Sequence, residues 1–87
     1  MAYAIRIKTS ALRELGKLRR EDQVRVRDRI EALAGEPRPH GARSFRGIPD
    51  AYRVRIGSLR VVYQVLDAQG LIEVVLVGDR KDVYRRR

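Results

Sequence analysis

The chain has 87 residues and a net charge of +9, from 20 Lys and Arg, nearly all of them Arg, against 11 Asp and Glu, and it has no Cys. That length fits one domain, residues 1–87, without room for a second core. The lack of Cys excludes disulfides and thiolate metal centres and fits a cytoplasmic setting; no run approaches the roughly 20 apolar residues of a membrane span and no signal-type segment opens the chain, so no membrane partner is expected.

Residues 3–8 alternate, with Tyr3, Ile5 and Ile7 on one side and Ala4, Arg6 and Lys8 on the other, which predicts a half-buried strand. Ser10 has the chemistry of an N-cap for a short helix whose apolar stripe is Ala11, Leu15 and Leu18, joined by Leu12. Residues 19–22 mark a turn. A second helix then carries Val26, Ile30 and Leu33 and ends at Gly35 and Pro37, with Glu21 and Arg25 spaced as a favourable i, i+4 pair. Residues 36–49 hold all three Pro and the single His, His40, and are predicted to be a surface loop with little regular structure. Three β-rich runs follow, 52–56, 59–66 and 71–78, separated by Gly57-Ser58 and by Asp67-Ala68-Gln69-Gly70, both of hairpin type. The expected fold is α+β, in the order β-α-α-β-β-β: an N-terminal strand, then a two-helix hairpin packed on one face of a mainly antiparallel sheet. A basic tail, 85–87, follows, and the position of the first strand in the sheet stays open.

The hairpins fix a register. A two-residue Gly-Ser loop of type II′ pairs Ile56 with Leu59, Arg55 with Arg60, Val54 with Val61 and Arg53 with Val62. A four-residue second loop pairs Leu66 with Leu71. By parity one face then collects Tyr52, Val54, Ile56, Leu59, Val61, Tyr63, Val65, Ile72, Val74 and Leu76, the only set fit to lie under the helices. The other face carries Arg53, Arg55 and Arg60 at one end and grades into Val62, Gln64, Leu66, Glu73, Val75 and Val77. Arg55 opposite Arg60 is a like-charge cross-strand pair, which costs roughly 0.2–1 kcal/mol against a neutral one. A bound anion removes that repulsion, and the guanidinium fork grips phosphate bidentately, so the patch is a candidate phosphate site. The plainer alternative is that the long side chains splay into water.

Three stretches in order resemble the RelE toxins of the RelE/ParE superfamily: Arg46-Gly47-Ile48-Pro49-Asp50-Ala51-Tyr52-Arg53-Val54-Arg55, Leu59-Arg60-Val61-Val62-Tyr63-Gln64-Val65, and Val77-Gly78-Asp79-Arg80-Lys81-Asp82-Val83-Tyr84. With the order of elements, the resemblance covers essentially the whole chain. It implies a toxin that enters the ribosomal A site and cleaves mRNA by attack of a ribose 2′-OH on the adjacent phosphate, held inactive by a cognate antitoxin. Matched position by position, the catalytic residues fall on Arg55, Arg60, Arg80 and Tyr84, and the RNA-binding residues on Arg53, Arg55, Lys81 and Arg85. The resemblance implies that Arg60 and Arg80 stabilise phosphate charge, that Arg80 assists the leaving group, and that Tyr84 stacks on a base. Tyr84 as a packing residue that anchors the tail is the alternative.

The sequence departs from the family pattern at two places. Arg stands at 53 and 55, where a well-studied member has Lys; Arg is effectively never deprotonated, so these two bind and stabilise charge and do not act as a base. Asp79 stands where many relatives carry His, and it reads more readily as a turn residue or an ion-pair partner of an Arg than as a proton acceptor. The identity of a general base is therefore open, and catalysis is expected to be mainly positioning and electrostatics. No metal site, Gly-rich phosphate loop or small-molecule cofactor is expected. Val62, Leu66, Val75 and Val77 have no helix of this chain to cover them, which suits a protein partner; the resemblance makes that partner an antitoxin, and implies the ribosome and mRNA as the others. Two rival functions remain: a ParE-like inhibitor of DNA gyrase, and a module that binds RNA or the ribosome without cutting.

Overall fold

A computed structural model describes residues 2–79. The elements run β1 (Ala4–Ile7), α1 (Thr9–Gly16), α2 (Arg20–Leu33), β2 (Arg43–Ser44), β3 (Ala51–Ile56), β4 (Leu59–Leu66) and β5 (Leu71–Asp79), with one turn of 3₁₀ helix at Asp67–Gln69. They form one mixed sheet in the order β1-β5-β4-β3-β2, covered on one face by the two helices. The predicted β-α-α-β-β-β order holds, with a two-residue strand added before β3. β1 lies parallel to β5, from Ala4 opposite Leu71 to Ile7 opposite Val74, and every other pairing is antiparallel.

The predicted register is present from Ala51 to Val74. Ile56 faces Leu59, Arg55 faces Arg60 and Leu66 faces Leu71. Both connections turn on a glycine in the left-handed region, Gly57 at φ 62° and Gly70 at φ 59°, where an L side chain would be strained. Residues of one parity, Val54, Ile56, Leu59, Val61, Tyr63, Val65, Ile72 and Val74, meet Ala11 and Leu15 of α1 and Val26, Ile30 and Leu33 of α2 in the main core.

The helices differ from expectation in three details. α1 begins at Thr9, the chain turning straight out of β1 so that Leu12 N–H donates to Lys8 O at 2.9 Å, and Ser10 lies inside the helix and caps nothing. Leu12 points to solvent, 51% exposed, while Glu14 takes the buried place beside Leu15. On α2, Arg25 pairs with Asp22 at 3.6 Å and not with Glu21, and Asp22 also lies 3.8 Å from Arg19.

Two larger corrections concern the sheet. A β-bulge interrupts the β4/β5 ladder: Tyr63 faces Val74 but Val62 faces Leu76, so Val75 is the extra residue. Parity reverses beyond it, and Val77, not Leu76, enters the core under the helices. The face predicted to be open is also partly covered. β2 pairs Arg43 with Arg53 and Ser44 with Tyr52, and from there the chain folds onto this face, where Phe45 closes a second small core with Ala51, Val62 and Val75, flanked by Ile48 and Leu76. Val62 is fully buried there, so of the four uncovered apolar residues expected on that face only Leu66 remains partly exposed.

Polar contacts pin that segment at its start. Tyr63 donates its hydroxyl to Pro37 O at 2.7 Å, and Arg38 donates to Tyr52 Oη at 3.0 Å and to Asp67 at 2.7 Å. Tyr3 donates to the other Asp67 oxygen at 2.5 Å. At its far end Gln64 donates to Pro49 O at 3.0 Å, and Asp50, at φ 58°, turns its carbonyl to accept Val65 N–H. Asp tolerates that conformation better than most residues with a side chain.

Candidate nucleic-acid interface

The basic face is built by β3 and β4, whose alternation puts Arg53 and Arg55 on the side away from the helices and Arg60 directly across from Arg55. β2 adds a fourth guanidinium, because Arg43 lies opposite Arg53. Gly41, Arg43, Arg53 and Arg55 line a hollow of about 220 Å³. Arg55 and Arg43 are exposed and Arg53 is half-buried, whereas Arg60 retains only 3% of its surface. The four positive groups therefore run from an open rim inward to a guanidinium held within the protein.

The segment 36–49 decides this geometry. Its fixed start at Pro37 and Arg38 and the burial of Phe45 set the path of the chain between them, which brings Gly41 and Arg43 beside β3. The sequence alone does not mark Arg43, because its segment carries no strand pattern. The signal that could have found it is Phe45, the chain's one Phe, which at two residues from Arg43 needs a buried place.

The bulge at Val75 places the last residues of β5. Gly78 lies across β4 from Arg60, on the face of the arginines, and Asp79 lies across from Leu59. Asp79 is exposed and makes no ion pair with any described residue. Behind this end of β5, Glu14 of α1, buried, accepts a hydrogen bond from Val77 N–H at 3.1 Å. Of the residues singled out from sequence, Arg53, Arg55 and Arg60 are brought together; Arg80, Lys81, Tyr84 and Arg85 lie outside the described residues. His40 is exposed in the loop. Among the described residues no three His, Cys, Asp or Glu side chains are placed to hold a metal ion, and no helix is long and apolar enough to cross a membrane.

A carboxyl and a phenol among the groups that hold the segment are perturbed. The Arg38 guanidinium, helped by the Tyr3 hydroxyl, holds the Asp67 carboxyl below its ordinary value of 3.8. Burial pushes the Tyr63 phenol up to about 12.

Comparison with known proteins places the chain. Residues 5–84 match the sequence model of the family described as ParE toxin of type II toxin–antitoxin system, parDE. A RelE-like toxin protein of Escherichia coli is 35% identical over 88 residues, covering 97% of this chain and 92% of that protein. The mRNA interferase toxin RelE of E. coli K12 is 33% identical with the same coverage. Among solved structures, a mutant of the E. coli toxin RelE in the free state superposes with a TM-score of 0.82 at 30% identity, covering 98% of this chain and 93% of that one. The toxin in the intact E. coli RelBE toxin–antitoxin complex gives 0.79 at 30% identity, covering 90% and 96%. In both kind and order of elements and in sequence, the chain belongs to the RelE family of toxins of type II toxin–antitoxin systems.

Proposed function

We propose that this toxin is a ribosome-dependent endoribonuclease that cleaves mRNA in the A site, and that a cognate antitoxin holds it inactive. The observation that carries the reading is the like-charge pair of Arg55 and Arg60, continued by Arg43 and Arg53, on a face where Phe45 buries Val62 and Val75. A phosphodiester fits guanidinium groups that stand in adjacent strands, because each can grip phosphate oxygens through charge-assisted hydrogen bonds. The mRNA interferase relative supports the reaction, and the RelBE complex supports an antitoxin partner. Ribosomes and mRNA place the proposed activity in the cytoplasm.

In the proposed reaction the ribose 2′-oxygen forms a bond to phosphorus and the bond from phosphorus to the 5′-oxygen breaks. A cyclic 2′,3′-phosphate and a free 5′-hydroxyl result, the proton lost from the 2′-OH being balanced by the proton gained at the 5′-oxygen. Arg60 and Arg80 neutralise the charge that develops on the phosphorane, and Arg80 supplies the hydrogen bond to the leaving oxygen. Arg53, Arg55, Lys81 and Arg85 hold the backbone and Tyr84 stacks on a base, fixing the 2′-oxygen in line. None of the arginines accepts the 2′-OH proton. The chemistry calls on no metal or small-molecule cofactor, and the ribosome completes the site. Arg60 is almost wholly buried.

The test is a reconstituted translation reaction with mRNA ends mapped by primer extension, alongside Arg60→Ala, Arg80→Ala and mRNA without ribosomes. Cuts at A-site codons that need ribosomes, and that fall by about 10²–10³ in rate when either Arg is removed, are expected. Loss of cleavage in Asp79→Ala equal to that in Arg60→Ala would overturn the assignment of catalysis to positioning and charge. The family's ParE description favours one second reading, inhibition of DNA gyrase by binding. Intact mRNA together with inhibited supercoiling by purified gyrase would establish it instead.

A further inference from the structure

The proposed catalytic face does not end at β3. Around the edge of the sheet, a second hollow of about 490 Å³ lies between α2 and β3, lined by Arg25, Asp28, Arg29, Ala32, Arg55 and Ile56. Arg55 belongs to both hollows, and Gly41, at the lip of the first, sits against Arg29. The two hollows are thus neighbours joined by one guanidinium.

Two glycines make room for the arginines of α2. A side chain at Gly57, in the β3/β4 turn, would meet Arg25 Nη2 at 3.1 Å, and one at Gly41 would meet Arg29 Nη2 at 3.6 Å. Arg25 and Arg29 stand one turn apart, so both reach from the same side of the helix toward β3. Arg29 Nε is buried and has no hydrogen-bond partner, and no ion pair joins Arg29 to a described residue. A buried donor left without an acceptor is costly, and an oxyanion drawn to this guanidinium would offer one. The acids that face the hollow are Asp28 on its wall and Asp22, 3.6 Å from Arg25. Against three guanidinium groups they leave the site positive.

We propose that Arg25 and Arg29, with Arg55, form a second anion site that takes a backbone phosphate of the same single-stranded RNA whose scissile phosphate lies at Arg53, Arg55 and Arg60. This rests on the RNA-cleaving reading. Two adjoining anion sites that share one Arg match a polymer with a phosphate at each residue better than an isolated ion, and the strand then leaves the catalytic face over the β3 edge and along α2. Arg25 and Arg29 are binding residues that lengthen the footprint without touching the reacting atoms.

The experiment is fluorescence anisotropy of the whole toxin with labelled 2′-O-methyl RNAs, a trinucleotide and a nonanucleotide, which lack the attacking hydroxyl and stay intact, over a range of salt. Gln keeps good helix propensity at these exposed and half-exposed positions, so Arg25→Gln/Arg29→Gln folds, as a circular dichroism melt would verify. The double variant binds the trinucleotide as the parent does, binds the nonanucleotide about tenfold more weakly, and loses roughly 1.4 from the slope of log K against log salt, since each phosphate contact on a single strand contributes about 0.7. Arg20→Gln/Arg27→Gln removes the same charge from α2 at residues that line neither hollow and leaves more of that slope in place. Equal losses for the two double variants, equal losses on the two RNAs, or no loss at all would overturn the second site. A polyglutamate peptide that binds more tightly than the nonanucleotide, and only with Arg25 and Arg29 intact, would give the site to an acidic protein segment instead. Arg53→Gln tests the underlying reading separately: if it leaves trinucleotide affinity unchanged, the catalytic face itself does not bind RNA.

Discussion

Glu14 is the residue through which α1 controls the end of β5, and its removal has a calculable effect. β1 stops at Ile7, opposite Val74, and Lys8 N–H makes the last bond between the two strands, to Val74 O at 2.9 Å. Beyond that point β5 runs on to Asp79 with no strand among the described residues paired on its β1 side, and Val77 N–H is buried there. The Glu14 carboxylate takes the place of the missing strand at 3.1 Å. A hydrogen bond to a charged group is worth about 1.5–3 kcal/mol, and Ala regains only a few tenths through its better helix propensity. Glu14→Ala should therefore lose about 2 kcal/mol, or about 8–16 °C in Tm for a domain of this size. Glu14→Gln, which keeps an acceptor oxygen of the same reach without the charge, should lose about half as much. Urea denaturation gives the order, and native-state hydrogen exchange gives the place: in Glu14→Ala the Val77 amide exchanges faster while the Lys8 amide does not. Stability within 0.5 kcal/mol of the parent, or equal acceleration at both amides, would refute the argument that the carboxylate caps the strand, since about 1.5 kcal/mol, less the few tenths that Ala regains, is the least the substitution should cost.

Phe45→Ala should cost about 3 kcal/mol, the lower end for a buried Phe because its cluster is small, and it should weaken RNA binding as well by releasing β2 and Arg43; unchanged binding would show that β2 holds without Phe45. Asp67→Asn should lower Tm at neutral pH. The folded-state carboxyl is held below 3.8, so its stabilisation is present above that value and lost as pH falls through the lower folded value; a gap between variant and parent that persists in strong acid would refute the pairing with Arg38 and Tyr3. Tyr63, raised to about 12 by burial, stabilises the fold below pH 10 and stops doing so as pH rises from 10 to 12. In an alkaline titration followed by tyrosinate absorbance, Tyr63→Phe should remove the latest phase, and loss of an early phase instead would place the burial elsewhere. Arg55→Gln should raise stability by roughly 0.2–1 kcal/mol by ending the repulsion with Arg60, while RNA affinity falls; a destabilised variant would show that Arg55 serves the fold.

The stretch from Ala51 to Val74 was legible in the sequence because two glycine turns set its register and one face alone was apolar. Legibility ended at Val75. A bulge there turns on how β5 twists against β4, and with Val74, Val75, Leu76 and Val77 all apolar neither face is marked by composition, so parity carried on through the run put Leu76 where Val77 belongs. The segment 36–49 failed for a different reason. Three prolines at the two ends of the segment argue against a regular ladder there, yet they say nothing about whether the chain between them lies on the sheet, as Arg43 and Ser44 do, or away from it. Contacts distant in sequence decide that, among them Arg38 with Asp67 and Tyr63 with Pro37, and no local pattern announces them. The same blind spot hid Arg43. It also hid Arg25 and Arg29, whose place beside β3 depends on where α2 crosses the sheet.

The second small core explains how so basic a face persists. Two like-charge pairs, Arg43 with Arg53 and Arg55 with Arg60, together cost roughly 0.4–2 kcal/mol. Burying Phe45, Val62 and Val75 beside them contributes about 1.5–3 kcal/mol for each side chain. The apolar term is the larger, so the arginines can be held together without help from a ligand, and the residual repulsion remains available to an anion when one arrives. Placing the two in alternate positions of the same strands links them: Ala51 and Arg53 share a face of β3, and Val62 stands across from Arg53. A substitution that loosens Phe45 therefore does not merely lower stability; it lets the guanidinium groups move apart, and a site whose function depends on their proximity loses affinity for phosphate before it loses its fold.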